Sequence, residues 1–415
     1  MIKNLVSGPL DECQICSSRD LQPVVHLGHS APCDSPLTVD GLRQMEKSYP
    51  LQYVRCRECG LVQIDYVVDG KELFHPNYPY RSGITQTLRT FLHGLAVRMS
   101  EKIGLPKKSL VVDIGSNDGT ILQGFAKAGM RVLGVEATNI AEIARQQGVE
   151  TLQEFFSPDT ARRILISHGP ARLVTAANVF AHVASFRDLL SGISDVLESD
   201  GYFVSESHYQ LDILETLQYD SIYHEHLRFY LIRPLQRLFD DNGFTLIDAE
   251  RIPNYGGSIR VTARKGKGHL VNDSVATLLE LEEKAGCYQD KTYENFAERT
   301  RASRAEIRRT LVEKARDHGP IPGIGCPGRC VTLLAYCGVG EDLMPYIAEQ
   351  STSLKLGMYT PSTHIPIVDE ERLFREQPAY AMILSWHYAD AIVKAMRARG
   401  LKSRVLVPLP TVREI

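Results

Sequence analysis

The run Leu110 to Gly119, LVVDIGSNDG, constrains the fold of this chain more than any other stretch. Leu110, Val111, Val112 and Ile114 form an apolar, largely β-branched run that stops at Gly115, which predicts a strand buried in a parallel sheet. Ser116 to Gly119 are turn formers, and Thr120 to Ala126 then opens an amphipathic helix. Glycines at such a turn let a ligand lie against bare backbone beside a helix N-terminus. Val132 to Val135 reads as the next strand and closes on Glu136. A carboxylate there can accept hydrogen bonds from both hydroxyls of a ribose.

The glycine pattern narrows the ligand. A nicotinamide dinucleotide calls for GxGxxG, and Asn117 stands where the second glycine should be. Asp113-x-Gly115-x-x-x-Gly119 instead resembles motif I of the class I S-adenosylmethionine-dependent methyltransferases, whose cofactor has no pyrophosphate to cradle. Composition sets the outer limits. A chain of 415 residues, 43% hydrophobic and 23% charged, holds two or three domains with ample core. A net charge of −3 with no long basic run argues against a nucleic-acid surface. No apolar window approaches a membrane span and the N-terminus lacks a signal-peptide core, so a soluble cytoplasmic protein is expected.

Cys13-x-x-Cys16 and Cys56-x-x-Cys59 supply two knuckles, the pattern of a closed tetrahedral Zn2+ site that stabilises a small domain of short strands. A redox CxxC is the rival, but two copies outside a βαβ unit fit it poorly. Cys33 is an alternative ligand. Tyr78, Tyr80 and their proline-stiffened neighbours up to Gly83 either fold over the site or pack as a linker before a helix over 86–103. Strands at Leu173–Asn178, Gly201–Glu206, Thr245–Ile247 and Ser258–Ala263 complete a doubly wound sheet. Ligands then lie beyond the strand ends, along Asp113, Gly115, Glu136, Asn178 and Glu206, with Phe155 near an adenine.

Tyr219 to Tyr230, YDSIYHEHLRFY, gathers ionisable and phenolic groups beside that edge. A His-x-His metal site there lacks a distant third ligand. A base reading is better: His226 takes a proton at neutral pH, oriented by Glu225 or a tyrosine hydroxyl. Residues 272–317 read as a solvated helical connector, followed by a second α/β unit with a glycine-rich loop at 319–328, a helix at 331–337 and a buried strand at 379–386.

In this order the pieces resemble the nucleotide-sugar C-methyltransferases of deoxysugar and antibiotic biosynthesis across nearly the whole chain. The matching segments include Cys56-x-x-Cys59-Gly-Leu-Val-Gln63, Tyr78-Pro-Tyr-Arg-Ser-Gly83, Asp113 to Gly119, Ala177 to His182, Tyr223-His-Glu-His226, Gly256 to Arg260 and Tyr359 to Pro366. The resemblance implies an α/β fold with a zinc-binding domain (1–72), a class I methyltransferase domain (73–268), a helical connector (269–318) and a Rossmann-like C-terminal domain (319–415). It implies His226 as the base that makes an enolate beside a ketone, with Glu225 and Tyr223 beside it and Tyr78 or Tyr80 near the sugar. It also implies S-adenosylmethionine held by Asp113, Gly115, Asn117, Gly119, Glu136, Phe155 and Asn178, and structural Zn2+ on Cys13, Cys16, Cys56 and Cys59. The substrate would be a nucleotide-linked keto-sugar, with no nucleic-acid or membrane partner, and the enzyme a monomer. Departures cluster in the C-terminal part: Arg329 replaces a lysine, Gln350 to Ser353 an Asp-Arg-Asn-Pro-like segment, Tyr255 a histidine before Gly256-Gly257, and His387 the asparagine after Trp386. Two alternatives stand beside this reading. One is the same fold retargeted to another small molecule by O- or C-methylation; the other is a non-catalytic binding protein.

Overall fold

The computed structural model of the protein describes residues 7–415 except 77, 80, 84 and 85. The organising stretch is a strand, Leu110–Ile114 (β1), with every residue buried, and the helix Thr120–Lys127 follows it. Around β1 lie Arg131–Val135 (β2), Thr151–Leu152 (β3), Ala171–Ala177 (β4), Leu197–His208 (β5), Phe244–Ile252 (β6) and Ser258–Lys265 (β7). Their spatial order is β6-β7-β5-β4-β1-β2-β3. The first five strands are parallel, whereas β7 inserts antiparallel between β5 and β6. The order reverses beside β1, so a crevice opens beyond the carboxyl ends of β1 and β4.

Two further sheets flank this one, beside a two-stranded pairing of Gly8–Pro9 with Tyr66–Val67. Leu21–Ser30, Tyr49–Cys56 and Val62–Ile64 form an antiparallel sheet, and its fourth strand, Arg228–Phe229, comes from the middle of the chain. The N-terminal sheet is therefore completed by residues that immediately follow the His-Glu-His run. The C-terminal sheet runs Ile367–Asp369, Ile347–Glu349, Gly323–Ile324, Tyr380–Ile383, Arg404–Val407 and Arg413–Glu414, parallel except for the last pair. This is a second Rossmann-like layer, and the fold class is α/β.

The expected helix over 86–103 is present. The connector expected as one helical stretch divides into Asp273–Lys284 and Asp290–His318, because Gly286, at φ 71°, stops the first helix. The helix of the C-terminal loop starts at Arg329, two residues before the sequence reading. Apolar side chains of the three larger sheets meet in one core cluster, while Val111, Leu173 and Val204 of the central sheet belong to a second, smaller cluster. Among the described residues no helix is long and apolar enough to cross a membrane.

Candidate active site

The crevice at the end of β1 is built mainly from backbone. Gly115 has φ 65°, and a Cβ there would collide with Val179 Cγ2, so the position admits only glycine without strain. Asn117 and Gly119 also have positive φ, at 50° and 75°. The strap after Tyr78 is tied to this turn. Ser82 N–H donates to Asn117 Oδ1 at 2.8 Å and Gly83 N–H to Asp118 Oδ2 at 2.8 Å. Glu136, at the end of β2, accepts from Asn117 N–H (2.9 Å) and Thr138 N–H (2.8 Å), one bond per carboxylate oxygen. Each oxygen keeps a lone pair for a ribose hydroxyl.

Asp113 lies beneath the turn, accepting from the Thr175 hydroxyl at 2.6 Å. Burial pushes its carboxyl up to about 7, with Glu136 and Glu206 adding to the effect against the Thr175 bond. Its contribution is to hold β1 against β4. Asn178, at the end of β4, has φ 56°, and its side-chain oxygen is buried with no protein partner. That orphaned acceptor, the bare backbone at Gly115 and the oriented Glu136 fit an adenosine cofactor carrying an amine. Phe155 stands just past β3 and is 45% exposed. Glu206, expected on the same edge, is committed to Arg260 Nε at 2.6 Å.

The four cysteines of the two knuckles converge. Sγ atoms of Cys13, Cys16, Cys56 and Cys59 lie within 4.8 Å of one another, with Cys13–Cys59 and Cys16–Cys56 each at 3.5 Å. Four thiolates with no open position fit a structural Zn2+. Cys33 lies elsewhere, donating its thiol to Glu225 Oε1 at 3.3 Å, and so is not an alternative ligand. Cys33, Asp34 and Glu225 also lie close together, but the ammonium of Lys355, 2.7 Å from Asp34, already supplies the cation there. His224 donates its Nε2 proton to the Pro50 carbonyl (3.0 Å), since a carbonyl only accepts, and packs edge-on to Tyr49. Among the described residues neither histidine of the His-x-His pair belongs to a cluster of three metal-ligating side chains.

His226 is the centre of the remaining cluster. Its Nδ1 lies 2.6 Å from the Ser221 carbonyl, so Nδ1 is the donor and Nε2 keeps its lone pair. The expected orienting group, Glu225 or a tyrosine hydroxyl, is replaced by this carbonyl, because Glu225 is engaged by Cys33 and by Tyr78, whose hydroxyl donates to Oε2 at 3.0 Å. Rings of Tyr223, His208 and His182 surround His226, with centroids at 3.9, 4.3 and 4.9 Å. Burial, then His208 and His182, hold His226 well below the ordinary histidine value of 6.5. Burial also lowers His182 to about 4 and, with Asp34, raises the Glu225 carboxyl to about 8. Tyr223 stays protonated far above its usual range for the same reason. Tyr80 lies outside the described residues.

His182 and His208 are functional candidates that sequence reasoning missed as individual residues. The available signal was position: His182 lies just past β4 and His208 is the last residue of β5, strands that already carried a proposed ligand group. Arg228, fully buried, holds the loop of His182 by donating to the carbonyls of Phe180 and Val183, and to Gln14 Oε1 at 2.6 Å.

Three family models match the chain in succession: a zinc binding domain over residues 13–74, a methyltransferase domain over 84–249 and a C-methyltransferase C-terminal domain over 253–410. The C-methyltransferase NovU of Streptomyces niveus is 34% identical over 412 residues, covering 98% of this chain and 97% of that protein. Among solved structures, the magnesium protoporphyrin IX methyltransferase of Synechocystis PCC 6803 with bound SAH is 14% identical, covering 44% of this chain and 89% of its own, at a TM-score of 0.34. The CcbJ methyltransferase of Streptomyces caelestis is 14% identical, with 42% and 90% covered and a TM-score of 0.33.

Proposed function

The chain belongs to the C-methyltransferase family and is an S-adenosylmethionine-dependent methyltransferase, and from that premise we propose that it methylates a carbon next to the ketone of a nucleotide-linked keto-deoxysugar, with His226 as the base. The observation that carries the reading is the single tautomer of His226. With the Nδ1 proton bound to the Ser221 carbonyl, Nε2 is left as the acceptor. It removes the proton from the carbon beside the ketone, and the C–H electron pair becomes the enolate. When bound, S-adenosylmethionine supplies an electrophilic methyl group to that carbon.

The chain's other residues act on charge and position. The enolate oxygen needs a donor, and Tyr223 remains a phenol while Glu225 remains largely a carboxylic acid at neutral pH, so both can donate. Tyr78 links this donor pair to the strap over the cofactor turn. Because burial keeps His226 neutral below 6.5, its base form is fully populated at pH 7, and the acidic limb of kcat/KM falls below the ordinary histidine range. The proposed enzyme is a cytoplasmic monomer acting on a small molecule, with no nucleic-acid partner.

The test uses a thymidine-diphosphate-linked 4-keto-6-deoxyhexose in D2O with S-adenosylhomocysteine in the cofactor crevice. Wild-type protein should wash deuterium into the carbon beside the ketone, and His226→Ala should not. Equal exchange in both proteins removes His226 as the base. A second reading, the same fold retargeted to a substrate without a diphosphate, is favoured by one observation: Arg329, on the altered loop, is bonded to protein groups. Calorimetric titration with S-adenosylhomocysteine and then thymidine diphosphate separates the two. Binding of both selects the nucleotide-linked substrate, and binding of the first alone selects the retargeted enzyme.

A further inference from the structure

The turn that carries the base is gripped from the far end of the chain. Three consecutive residues, Asp220, Ser221 and Ile222, each bind a side chain of the C-terminal layer. The Trp386 indole N–H donates to Asp220 Oδ2 at 2.7 Å, Arg329 Nη2 donates to Ser221 Oγ at 2.6 Å, and the Thr332 hydroxyl donates to the Ile222 carbonyl at 3.0 Å. Arg329 also donates to Gln218 Oε1 at 3.3 Å and to the Tyr255 carbonyl at 3.2 Å, and it lies 3.8 Å from Asp220 Oδ2. Arg329, Asp220, Ser221 and Thr332 are all buried, so these bonds face little competition from water. The carbonyl of the same Ser221 holds the Nδ1 proton of His226.

We propose that Arg329 is a positioning residue for the base: by fixing Ser221 it holds the Ser221 carbonyl on Nδ1 and so keeps Nε2 of His226 unprotonated and aimed. The proposal rests on the reading of His226 as the base. It gives the C-terminal layer a part in proton transfer, since no residue of the N-terminal or central sheets binds the Ser221 side chain among the bonds described. The planar fork of arginine suits the task, because its two Nη groups reach Ser221, Gln218 and Tyr255 together. A lysine has the charge but not that spread of donors. Asp220 offsets the buried cation, so Arg329 can be enclosed without a substrate anion.

Electrostatics acts in the same direction. The ionisable groups that face His226 are His208 at the end of β5, His182 beyond β4, Tyr223 on its own turn and Arg329 from the C-terminal layer. Two of these are neutral imidazoles, one is a phenol, and Arg329 is the fixed cation. Its removal takes away a charge that opposes protonation of His226.

The test is nitrogen-15 NMR of histidine-labelled full-length protein saturated with S-adenosylhomocysteine, with the His226 resonances identified by their loss in His226→Gln. Wild type should show one tautomer, Nδ1–H. In Arg329→Met, His226 should average between tautomers and titrate about one pH unit higher. Deuterium wash-out should fall roughly 10- to 100-fold, with S-adenosylhomocysteine affinity unchanged. Added guanidinium should restore part of the wash-out in Arg329→Ala, and Arg329→Lys should restore the titration more than the tautomer. A wild-type tautomer and titration in Arg329→Met overturn the proposal. Should that variant fail to bind S-adenosylhomocysteine, Ser221→Ala, which deletes the hydroxyl and keeps the carbonyl, decides the question: tautomer averaging supports the role and an unchanged spectrum overturns it. Failure of the base reading shows separately, as undiminished wash-out in His226→Gln.

Discussion

The cofactor crevice and the base cluster lie side by side but are made in different ways. The crevice is largely local: β1, its turn, β2 and Glu136 fall within Leu110 to Thr138, and the Glu136 carboxylate is oriented there by backbone N–H groups of the same stretch. The base cluster is assembled from afar. His226 is flanked by His182 and His208 from the central sheet, anchored through Leu227 to Phe229 by the N-terminal sheet, and held at Ser221 by Arg329. A backbone site tolerates changes elsewhere in the molecule. A side-chain site assembled from three units is exposed to the loss of any of them.

Metal removal gives the largest effect and tests that asymmetry most directly. Stripping Zn2+, or replacing Cys56 by serine, discards a binding energy on the order of 10 kcal/mol in small zinc domains. Cys56 ends a strand whose neighbour, Val62–Ile64, pairs with Arg228–Phe229, two residues from the base. Thermal unfolding should therefore begin lower, and turnover should fail before S-adenosylhomocysteine binding does. Simultaneous loss of both would mean that the crevice depends equally on the metal. Next in size is His226→Ala, expected to lower turnover roughly 10²- to 10⁴-fold with cofactor affinity unchanged in calorimetry.

The same contrast explains what could be read from residue order. Asp113, Gly115, Gly119 and Glu136 belong to one strand-turn-helix-strand unit, so spacing alone brings them together, and the two CxxC pairs carry their own turn geometry. The surroundings of His226 have no such local signature. His182 and His208 become neighbours of His226 only through the parallel register of β4 and β5, and Ser221 replaces Glu225 as its partner because Cys33 and Tyr78 arrive from the N-terminal part to engage Glu225. Arg329 was visible as a departure from the family pattern. Its bonds to the base-bearing turn depend on how the C-terminal sheet docks, which no spacing encodes.

Gly115→Ala should damage the crevice while sparing the base cluster. A side chain at φ 65° that also meets Val179 costs about 2–4 kcal/mol if the turn is kept. Calorimetry should show S-adenosylhomocysteine affinity falling steeply, and the His226 tautomer should stay as in wild type. A changed tautomer would show that the two regions are mechanically coupled through the strap at Ser82 and Gly83.

Each region also carries one carboxyl that folding holds protonated, Asp113 at about 7 and Glu225 at about 8. Both folded values are raised, from 3.8 and 4.5, so the unfolded chain releases these protons first as pH rises. Each group thus favours the folded state at low pH, and that contribution is lost as pH climbs through its folded value. Melting temperatures measured from pH 5 to about 8 should decline less in Glu225→Gln and Asp113→Asn than in wild type, with the Glu225 change extending to higher pH. An unchanged slope in Glu225→Gln would mean that Cys33 and Tyr78, which donate to the carboxylate, outweigh its burial.

Phe155→Ala is the mildest test, aimed at the one aromatic contact expected in a crevice otherwise lined by backbone and by the side chains of Glu136 and Asn178. The ring follows β3 and is nearly half exposed, so little native packing is lost on truncation. Its value should lie in stacking on the adenine, about 1 kcal/mol at the lower end for a base on an aromatic face, or roughly a fivefold loss of S-adenosylhomocysteine affinity. The melting temperature of the free protein should barely move, while the stabilisation gained on adding S-adenosylhomocysteine should shrink with the affinity. An unchanged affinity would return Phe155 to the surface and leave the crevice built from Gly115, Glu136 and Asn178, sharpening the contrast with the side-chain cluster around His226.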